Sequence, residues 1–195
     1  MKTSSAAPNQ SVYPFEFQPV TRERLRDLAR FSARHGKFHY CSCMRWRMSS
    51  GEFRRSTKET RDAALEALVC QGTPVGVLAY RGGEPVGWCS VAPRESLRAL
   101  ERYRGLPRVD AAPVWSVVCF FVDRNVRRSG LTLGLLRAAG DYAQSQGAKI
   151  IEGYPVLPGS RLYTYMGSPS TFRKAGFRDV TPAGQTRRVM RIVFE

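Results

Sequence analysis

The sequence predicts an α/β fold, and two stretches of the chain carry that prediction. Two runs rich in β-forming residues flank Gly82-Gly83, and this predicts a hairpin because glycine supplies the positive φ angles of tight turns. Residues 114–122 and 149–156 are apolar runs typical of buried strands, and residues 130–146 between them have helical apolar spacing. Strand, helix and strand of these lengths predict a right-handed βαβ unit with parallel strands.

Two helices are predicted before the hairpin. Apolar residues recur at helical spacing after Thr21, which is placed as an N-cap, and Gly36 follows the end of that helix. A second helical pattern opens at Thr60 and closes at Gly72.

The remaining segments give weaker signals. The segment between the two helices is expected to be irregular, and residues 94–103 fit either a short helix or a loop. After a loop rich in proline, glycine and tyrosine, we expect a short helix and two closing strands, at residues 169–175, 177–180 and 186–194.

Length and composition restrict the class of protein. The chain has 195 residues, of which 43% are hydrophobic and 24% charged, and this excludes global disorder and a fibrous architecture. We expect a flexible tail over residues 1–12 and one domain over residues 13–195. No apolar run approaches the roughly 20 residues that cross a bilayer, and the N-terminus lacks a secretory signal. The expected location is therefore cytoplasmic, with no membrane association and with the cysteines reduced.

The charge is unusual, because Lys and Arg exceed Asp and Glu by 31 to 16 and give a net charge of +15. Such a surplus indicates an anionic partner, and nucleic acid, an anionic membrane surface and a polyphosphate cofactor all qualify. Arginines spread over solvated faces would give the same number, so this interpretation also stays open.

The strand-to-helix junction of the βαβ unit, residues 122–132, has the features of an anion site. Such a junction directs several backbone N–H groups to one point at the positive end of a helix, where a pyrophosphate fits. Gly130 permits close approach of the backbone, and Arg127 and Arg128 add positive charge.

This junction resembles the acetyl-CoA signature of the GNAT superfamily, Arg/Gln-x-x-Gly-x-Gly/Ala after a strand that ends in valine. Arg127 and Gly130 match it, whereas Thr132 stands where the family has glycine or alanine. Residues 172–177 resemble the aromatic-x-x-x-Gly-Phe element that follows the fifth strand in this family. The resemblance covers roughly residues 14–194.

The resemblance implies a mixed, mostly antiparallel twisted sheet flanked by helices, with a central parallel pair of strands that forms the acetyl-CoA cleft. It implies an N-acetyltransferase that moves an acetyl group from acetyl-CoA to an amine, which we expect to be a small molecule. The cofactor-binding residues that it implies are Phe120, Phe121, Val122, Arg127, Arg128, Ser129, Gly130, Leu131, Thr132 and Phe172.

Transfer to an amine requires removal of a proton from the amine and protonation of the leaving thiolate. Family members that acetylate histones carry a glutamate in the fourth strand where this chain has Ser116, which is a poor base. Members that acetylate ribosomal-protein N-termini carry a glutamate in the fifth strand, at the position of Glu152. The resemblance therefore implies that Glu152 is the general base, directly or through water. The alternative is that Glu152 only pairs with an arginine.

The general acid of the family is a tyrosine, but Phe172 occupies its position and cannot donate a proton. The loop before it carries Tyr163 and Tyr165, and one of them, with Tyr165 preferred, is expected to replace the missing acid. Protonation of the thiolate by solvent is the alternative.

Two further patterns have more than one interpretation. Cys41 and Cys43 lie near His35 and His39, but this spacing does not match the usual zinc frameworks, so no metal is expected and the cysteines are either redox-sensitive or packed under a loop. Residues 37–61 carry seven Lys or Arg against two acids, interleaved with aromatic residues that include Phe38, Tyr40, Trp46 and Phe53. This segment could bind nucleic acid, but we favour an acceptor-binding loop.

Three functions therefore remain in competition. The first is acetylation of a small amine, the second acetylation of a protein or peptide amine, and the third a catalytically silent module that binds acyl-CoA or nucleic acid. The aromatic, cysteine-bearing segment at residues 37–61 favours an enclosed pocket. An enclosed pocket in turn favours the first function, acetylation of a small amine. The sequence leaves a homodimer open.

Overall fold

The computed structural model describes residues 15–35 and 41–195 of the chain. The predicted tail over residues 1–12 lies outside the described residues, as do Phe38, His39 and Tyr40.

Among the described residues, one sheet of seven strands runs in the order β1-β2-β3-β4-β5-β7-β6. Its strands are β1 Glu16–Pro19, β2 Val77–Arg81, β3 Glu84–Pro93, β4 Trp115–Val122, β5 Ile150–Gly153, β6 Arg178–Asp179 and β7 Met190–Val193. Strands β4 and β5 pair in parallel, and all other neighbours pair antiparallel. The predicted fold class, a mixed and mostly antiparallel sheet with a central parallel pair, is confirmed.

Helices cover both faces of this sheet. Their bounds are α1 Leu25–Arg34, α2 Ser50–Arg55, α3 Lys58–Cys70, α4 Arg98–Glu101, α5 Leu131–Ser145 and α6 Pro169–Lys174. Leu131 and Leu135 of α5 share one core with Phe172 of α6, whereas Leu28 of α1 and Leu65 of α3 belong to the core on the other face. None of the helices in the described ranges is long and apolar enough to cross a membrane.

The elements with the strongest sequence signals are confirmed. Gly82 and Gly83 form the hairpin turn with φ angles of 57° and 76°, and β4, α5 and β5 form the predicted βαβ unit. Strand β5 ends at Gly153 and not at Val156, because Pro155 has no N–H to donate to a sheet ladder.

Three local predictions are corrected. The first helix begins at Leu25 after a 3₁₀ turn, and the Thr21 hydroxyl accepts a hydrogen bond from the Arg24 side chain and caps nothing. The second begins at Lys58, because Thr57 and Thr60 form its capping box. The segment predicted to be irregular contains α2.

Candidate active site

Strands β4 and β5 part soon after they begin to pair. Their register joins Trp115 to Ile151 and ends with Val117 opposite Gly153, although β4 continues along β3 as far as Val122. Beyond this point the chain after β5 leaves the sheet. The edge of β4 that faced β5 is therefore released from strand pairing over its second half.

A β-bulge lies where the two strands part. Ser90 of β3 faces Cys119 and Val91 faces Val117, so Val118 is the extra residue of β4. The bulge directs Val118 and Cys119 to the face of the sheet that carries α1 and α3, where both pack among buried residues. It re-aims the backbone at the mouth of the cleft between β4 and β5.

The chain enters α5 through a tight turn. Arg128 and Gly130 have positive φ angles of 65° and 81°, and Gly130 is the N-cap of α5. The Ser129 hydroxyl donates to the carbonyl of Val126, which holds the turn closed. As at any helix start, the first N–H groups of α5 have no partner within the helix. Gly130 therefore has the left-handed conformation that favours glycine, at the positive end of a 15-residue helix.

Two predicted phosphate ligands flank this helix start. The side chains of Arg127 and Arg128 are exposed, and Thr132 is half-buried in the first turn. Leu131 is buried in the core and can offer only its backbone. The junction thus combines N–H groups and two exposed guanidinium groups, which is the donor set that a pyrophosphate requires.

The aromatic residues predicted beside the cofactor differ in position. Phe172 is 0% exposed and packs edge-on against Phe120, with ring centroids 6.2 Å apart. Phe121 points to the other face and packs against Phe31. The ring of Phe172 is therefore inside the core and not at an accessible surface, so strand β4 can offer a cofactor its backbone over residues 120–122 in addition to the groups of the helix start.

Glu152 lies in the core, with 1% of its surface exposed. Its Oε1 accepts a hydrogen bond from Arg191 Nε at 2.6 Å, and its Oε2 accepts one from the Tyr154 hydroxyl at 2.9 Å. Arg94, also 1% exposed, places Nη1 3.5 Å from the same Oε2. The contacts correspond to the alternative left open by the sequence, a glutamate paired with arginine, and two arginines take part.

Tyr154 connects this carboxylate to β4. Its hydroxyl donates to Glu152 and accepts from Arg94 Nη1 at 3.0 Å, and it lies 2.7 Å from the Ser116 hydroxyl, which serves as a second donor. Burial and the neighbouring charge of Glu152 raise the pKa of Tyr154, so the phenol keeps its proton. Every polar atom of the group is satisfied within the core.

The arginines of this network are held by further acids. Arg94 Nε donates to Glu101 at 3.1 Å, and Arg191 makes two hydrogen bonds to Asp110. Burial acts to lower the pKa of Arg191, but the hydrogen bonds that it donates to Asp110 and Glu152 outweigh this effect and raise the pKa. The network therefore has its own counter-charges.

The two candidate acids lie in different surroundings. The pKa of Tyr163 is raised, and the larger cause is its hydrogen bond with Tyr103, with burial as the smaller one. Tyr165 is half-buried; burial and the neighbouring thiols of Cys119 and Cys41 raise its pKa. Because Cys119 lies at the bulge of β4, Tyr165 is the tyrosine of the pair that neighbours the point where the strands part.

Cys41 is half-buried and Cys43 is buried, and both belong to the segment that precedes α2. Burial and the nearby Cys43 raise the pKa of the Cys41 thiol to about 12, and burial raises that of Cys43 as well. Within residues 15–35 and 41–195, no group of three or more His, Cys, Asp or Glu side chains could hold a metal ion. His39, the second histidine of the sequence pattern, is not described.

The basic segment is partly internal. Arg47 and Arg61 are buried, and Trp46 is 3% exposed. Arg45 lies over the rings of Trp46 and Phe53, with its Cζ 5.6 Å and 5.8 Å from their centroids. A stacking platform for bases needs exposed rings, so the geometry favours the interpretation of this segment as a pocket wall.

Sequence reasoning missed Arg94 and Tyr154. Tyr154 is two residues beyond Glu152 and so lies on the same face of the chain, a spacing visible in the sequence. A carboxylate in an apolar strand also requires a buried cation. That this cation would be Arg94, which follows a strand distant in sequence, depended on the sheet order.

Comparison with known proteins identifies the class of protein. The model of the acetyltransferase (GNAT) family matches residues 40–164, and the chain belongs to this family. No curated protein matches the sequence.

Solved structures share the fold. A ribosomal-protein-alanine N-acetyltransferase from Brucella melitensis is similar with a TM-score of 0.54 and 18% identity, over 92% of this chain and 99% of that one. The yncA protein of Salmonella typhimurium, solved with its cofactor acetyl-CoA, gives a TM-score of 0.55 and 15% identity, over 93% and 95%. An aminoglycoside 6'-N-acetyltransferase from Acinetobacter haemolyticus gives 0.51 and 14%, over 92% and 97%. At these identities the likeness concerns the fold.

Proposed function

We propose that this chain is an acetyl-CoA-dependent N-acetyltransferase that acts on a small amine. The observation that carries the proposal is the geometry of the cleft, in which β4 parts from β5 and leads directly into a helix start capped by Gly130 in the left-handed conformation. Family membership supports acyl transfer, and the bound cofactor of the Salmonella protein supports acetyl-CoA as the donor.

Acetyl-CoA fits the groups that this cleft offers. The pyrophosphate would accept hydrogen bonds from the N–H groups of residues 130–132, with charge from Arg127 and Arg128. The amides of the pantetheine arm would pair with the released backbone edge over residues 120–122, as another strand would. The Thr132 hydroxyl adds a donor to the phosphates in place of the glycine or alanine of the family.

The general acid in this proposal is Tyr165. Its raised pKa keeps the phenol protonated at neutral pH, and it neighbours Cys119 beside the bulge. The departing thiolate takes the phenolic proton, and the amine loses its own proton to water in the cleft. Tyr163 has a structural role in this proposal, because its hydrogen bond with Tyr103 fixes the aromatic wall of the pocket.

Glu152 has a positioning role in this proposal. A direct base must reach the amine, but the carboxylate is buried and already accepts from Arg191 and Tyr154. The prediction that Glu152 is the base stands as the competing proposal, and a pH profile separates the two.

A small acceptor is supported by the aromatic wall. Trp46, Tyr103, Tyr163 and Tyr165 form a chain of ring contacts with centroids 5.6 Å to 6.4 Å apart, typical of an enclosed pocket. These residues belong to, or pack on, a core cluster that also contains Val118 of the bulge.

The test is a screen for release of coenzyme A against polyamines, aminoglycosides, amino acids and N-terminal peptides. Turnover of at least one small amine supports the proposal. Turnover of peptides alone would show a protein acetyltransferase, and binding of acetyl-CoA without turnover of any amine would show a silent module.

A further inference from the structure

The guanidinium group of Arg187 lacks a counter-charge among the described residues. Its Nε and Nη1 atoms are buried and have no hydrogen-bond partner there, and Nη2 contacts only the sulfur of Met166, at 3.1 Å. By contrast, the buried residues Arg94 and Arg191 are both paired with carboxylates. Buried donors that lack a partner are costly, which indicates that an acceptor from outside the chain completes the site.

Aromatic rings fix the position of this guanidinium. Its Cζ lies 4.3 Å from the ring centroid of Tyr163 and 5.9 Å from that of Tyr103. Stacking of this kind holds a guanidinium in one plane and leaves its edge to bind a ligand. Arg187 is therefore preorganised by the same aromatic wall that bounds the proposed acceptor pocket.

Arg187 lines a cavity of about 280 Å³ between the loop after β5 and the loop before β7. Pro155, Val156 and Leu157 form its apolar side, and Ser160 and Thr186 add hydroxyl groups. This volume suits a small molecule with an apolar part and one charged group.

The cavity adjoins the cleft. The N–H of Val156, in the cavity wall, donates to the carbonyl of Gly167 at 2.9 Å. Gly167 in turn lies against Phe120 of β4, since a Cβ built on it would be 3.2 Å from that ring. Only the segment at Gly167 therefore lies between the cavity wall and the strand that would hold the acetyl donor, and the amine of the acceptor would extend past it toward the cleft.

We propose that the acceptor is a small amino acid, a molecule that carries both the amine to be acetylated and a carboxylate, and that Arg187 binds this carboxylate. This inference rests on the proposed function and specifies its substrate class. A planar guanidinium pairs with a carboxylate through two parallel hydrogen bonds from one edge. For Arg187 this edge would be the unpartnered Nη1 together with Nη2, whose contact with the Met166 sulfur the carboxylate would replace. An amine arrives as a cation, so a carboxylate also offsets the repulsion from the surplus arginine.

The experiment compares apolar L-amino acids with their carboxamides, which keep the amine and the side chain but lack the negative charge. The acetylated products are measured by mass spectrometry with the wild-type chain, Arg187→Met, Arg187→Lys and Arg178→Gln. Arg178 is exposed and does not line the cavity, so its variant controls for the loss of one positive charge. Binding of acetyl-CoA and of the amino acid alone is measured by calorimetry on each variant, and melting temperatures check that each is folded.

We expect the wild type and Arg178→Gln to prefer the amino acid over its carboxamide, and Arg187→Met to lose roughly 10- to 100-fold in kcat/KM for the amino acid only. Arg187→Lys keeps the positive charge but lacks the two parallel N–H donors of a guanidinium, so its loss in kcat/KM for the amino acid should be smaller. Acetyl-CoA affinity should not change in any variant. The amine of an amino acid and the amine of its carboxamide differ in basicity. This difference cancels when the ratio of kcat/KM for the two substrates is compared between each variant and the wild type.

Two results would overturn the inference alone: carboxamides or plain monoamines acetylated as well as amino acids by the wild type, or an unchanged preference in both Arg187 variants. Failure of the wild type to bind acetyl-CoA would instead overturn the proposed function, and the calorimetry reveals this separately.

Discussion

Arg191 Nε donates to Glu152 Oε1 across 2.6 Å, and both residues are buried. This contact joins β7 to β5 directly beside the point where β5 and β4 part. Arg94, in the turn after β3, contacts the second carboxylate oxygen, and Tyr154 joins that oxygen to Ser116 of β4. The parting of the strands is therefore braced by a charged group in the core.

Glu152→Gln should destabilise the fold, because it leaves two buried guanidinium groups without their common carboxylate. Loss of one partner of a buried ion pair costs about 3–5 kcal/mol, and urea unfolding measures it. Asp179→Asn removes a carboxylate from an exposed pair with Arg188, and this control should cost no more than about 1 kcal/mol. Equal effects of the two substitutions would show that the buried pair contributes no more than a surface pair.

The pH profile of kcat/KM separates the two roles of Glu152. If Glu152 positions the strands, Glu152→Gln lowers the rate but the acidic limb of the profile stays at the same pH. Disappearance of that limb, with a loss of roughly 10²–10⁴ in rate, would identify Glu152 as the base and contradict the positioning role.

Tyr165→Phe should lower kcat by about 10²-fold or more and leave acetyl-CoA affinity unchanged. Because burial and the nearby cysteines raise the pKa of Tyr165, the wild-type enzyme should keep its acid through neutral pH and lose activity only above the ordinary tyrosine pKa of about 10. Tyr163→Phe is the matched control, and its kcat should change less. Wild-type kinetics in both variants would mean that solvent protonates the thiolate.

Glu52→Gln tests the capping box of α2 and the ion pair that joins this helix to Arg98 of α4. Hydrogen bonds from Ser49, and then the Arg98 side chain, lower the pKa of Glu52 from 4.5 to about 2. A lowered pKa in the folded state stabilises the fold above pH 4.5, and this contribution disappears as the pH falls to about 2. The melting temperature of Glu52→Gln should therefore fall below that of the wild type at pH 7 and match it near pH 2.

The control for that comparison is Glu66→Gln, because Glu66 is an exposed glutamate of α3. Its melting temperature should equal that of the wild type at pH 7 and near pH 2. A gap between Glu52→Gln and the wild type that persists at low pH would assign the effect to packing and not to charge.

The fold was predictable where local pattern and tertiary position agree. The apolar run at residues 114–122 and the glycine pair at Gly82-Gly83 specify their elements without help from the rest of the chain. Strand β1 was not predicted, because its four residues form a strand only through pairing with β2. The capping box of Ser49 and Glu52 marks the start of α2 in the sequence, but a six-residue helix has too few apolar positions to show a period.

The candidate site was predictable only in its backbone. The left-handed Gly130 follows from a sequence motif, whereas the partners of Glu152 depend on strand order, which no local pattern encodes. The number of basic residues at 37–61 overstates the positive charge of the surface for a related reason. Arg47 and Arg61 are part of that number but are buried in the interior. Residue counts carry no information on which side chains fold inward.

Calorimetric titration of acetyl-CoA into Gly130→Asp and Gly130→Asn tests whether the start of α5 binds the pyrophosphate of the cofactor. Both residues are close in size and tolerate the left-handed conformation, so the pair differs mainly by one negative charge beside the proposed pyrophosphate. We expect the asparagine variant to keep measurable binding, whereas the folded aspartate variant should bind acetyl-CoA about 100-fold more weakly, or worse. Equal affinity of wild type and Gly130→Asp, with both folded, would contradict the assignment of the acetyl-CoA site to this helix start.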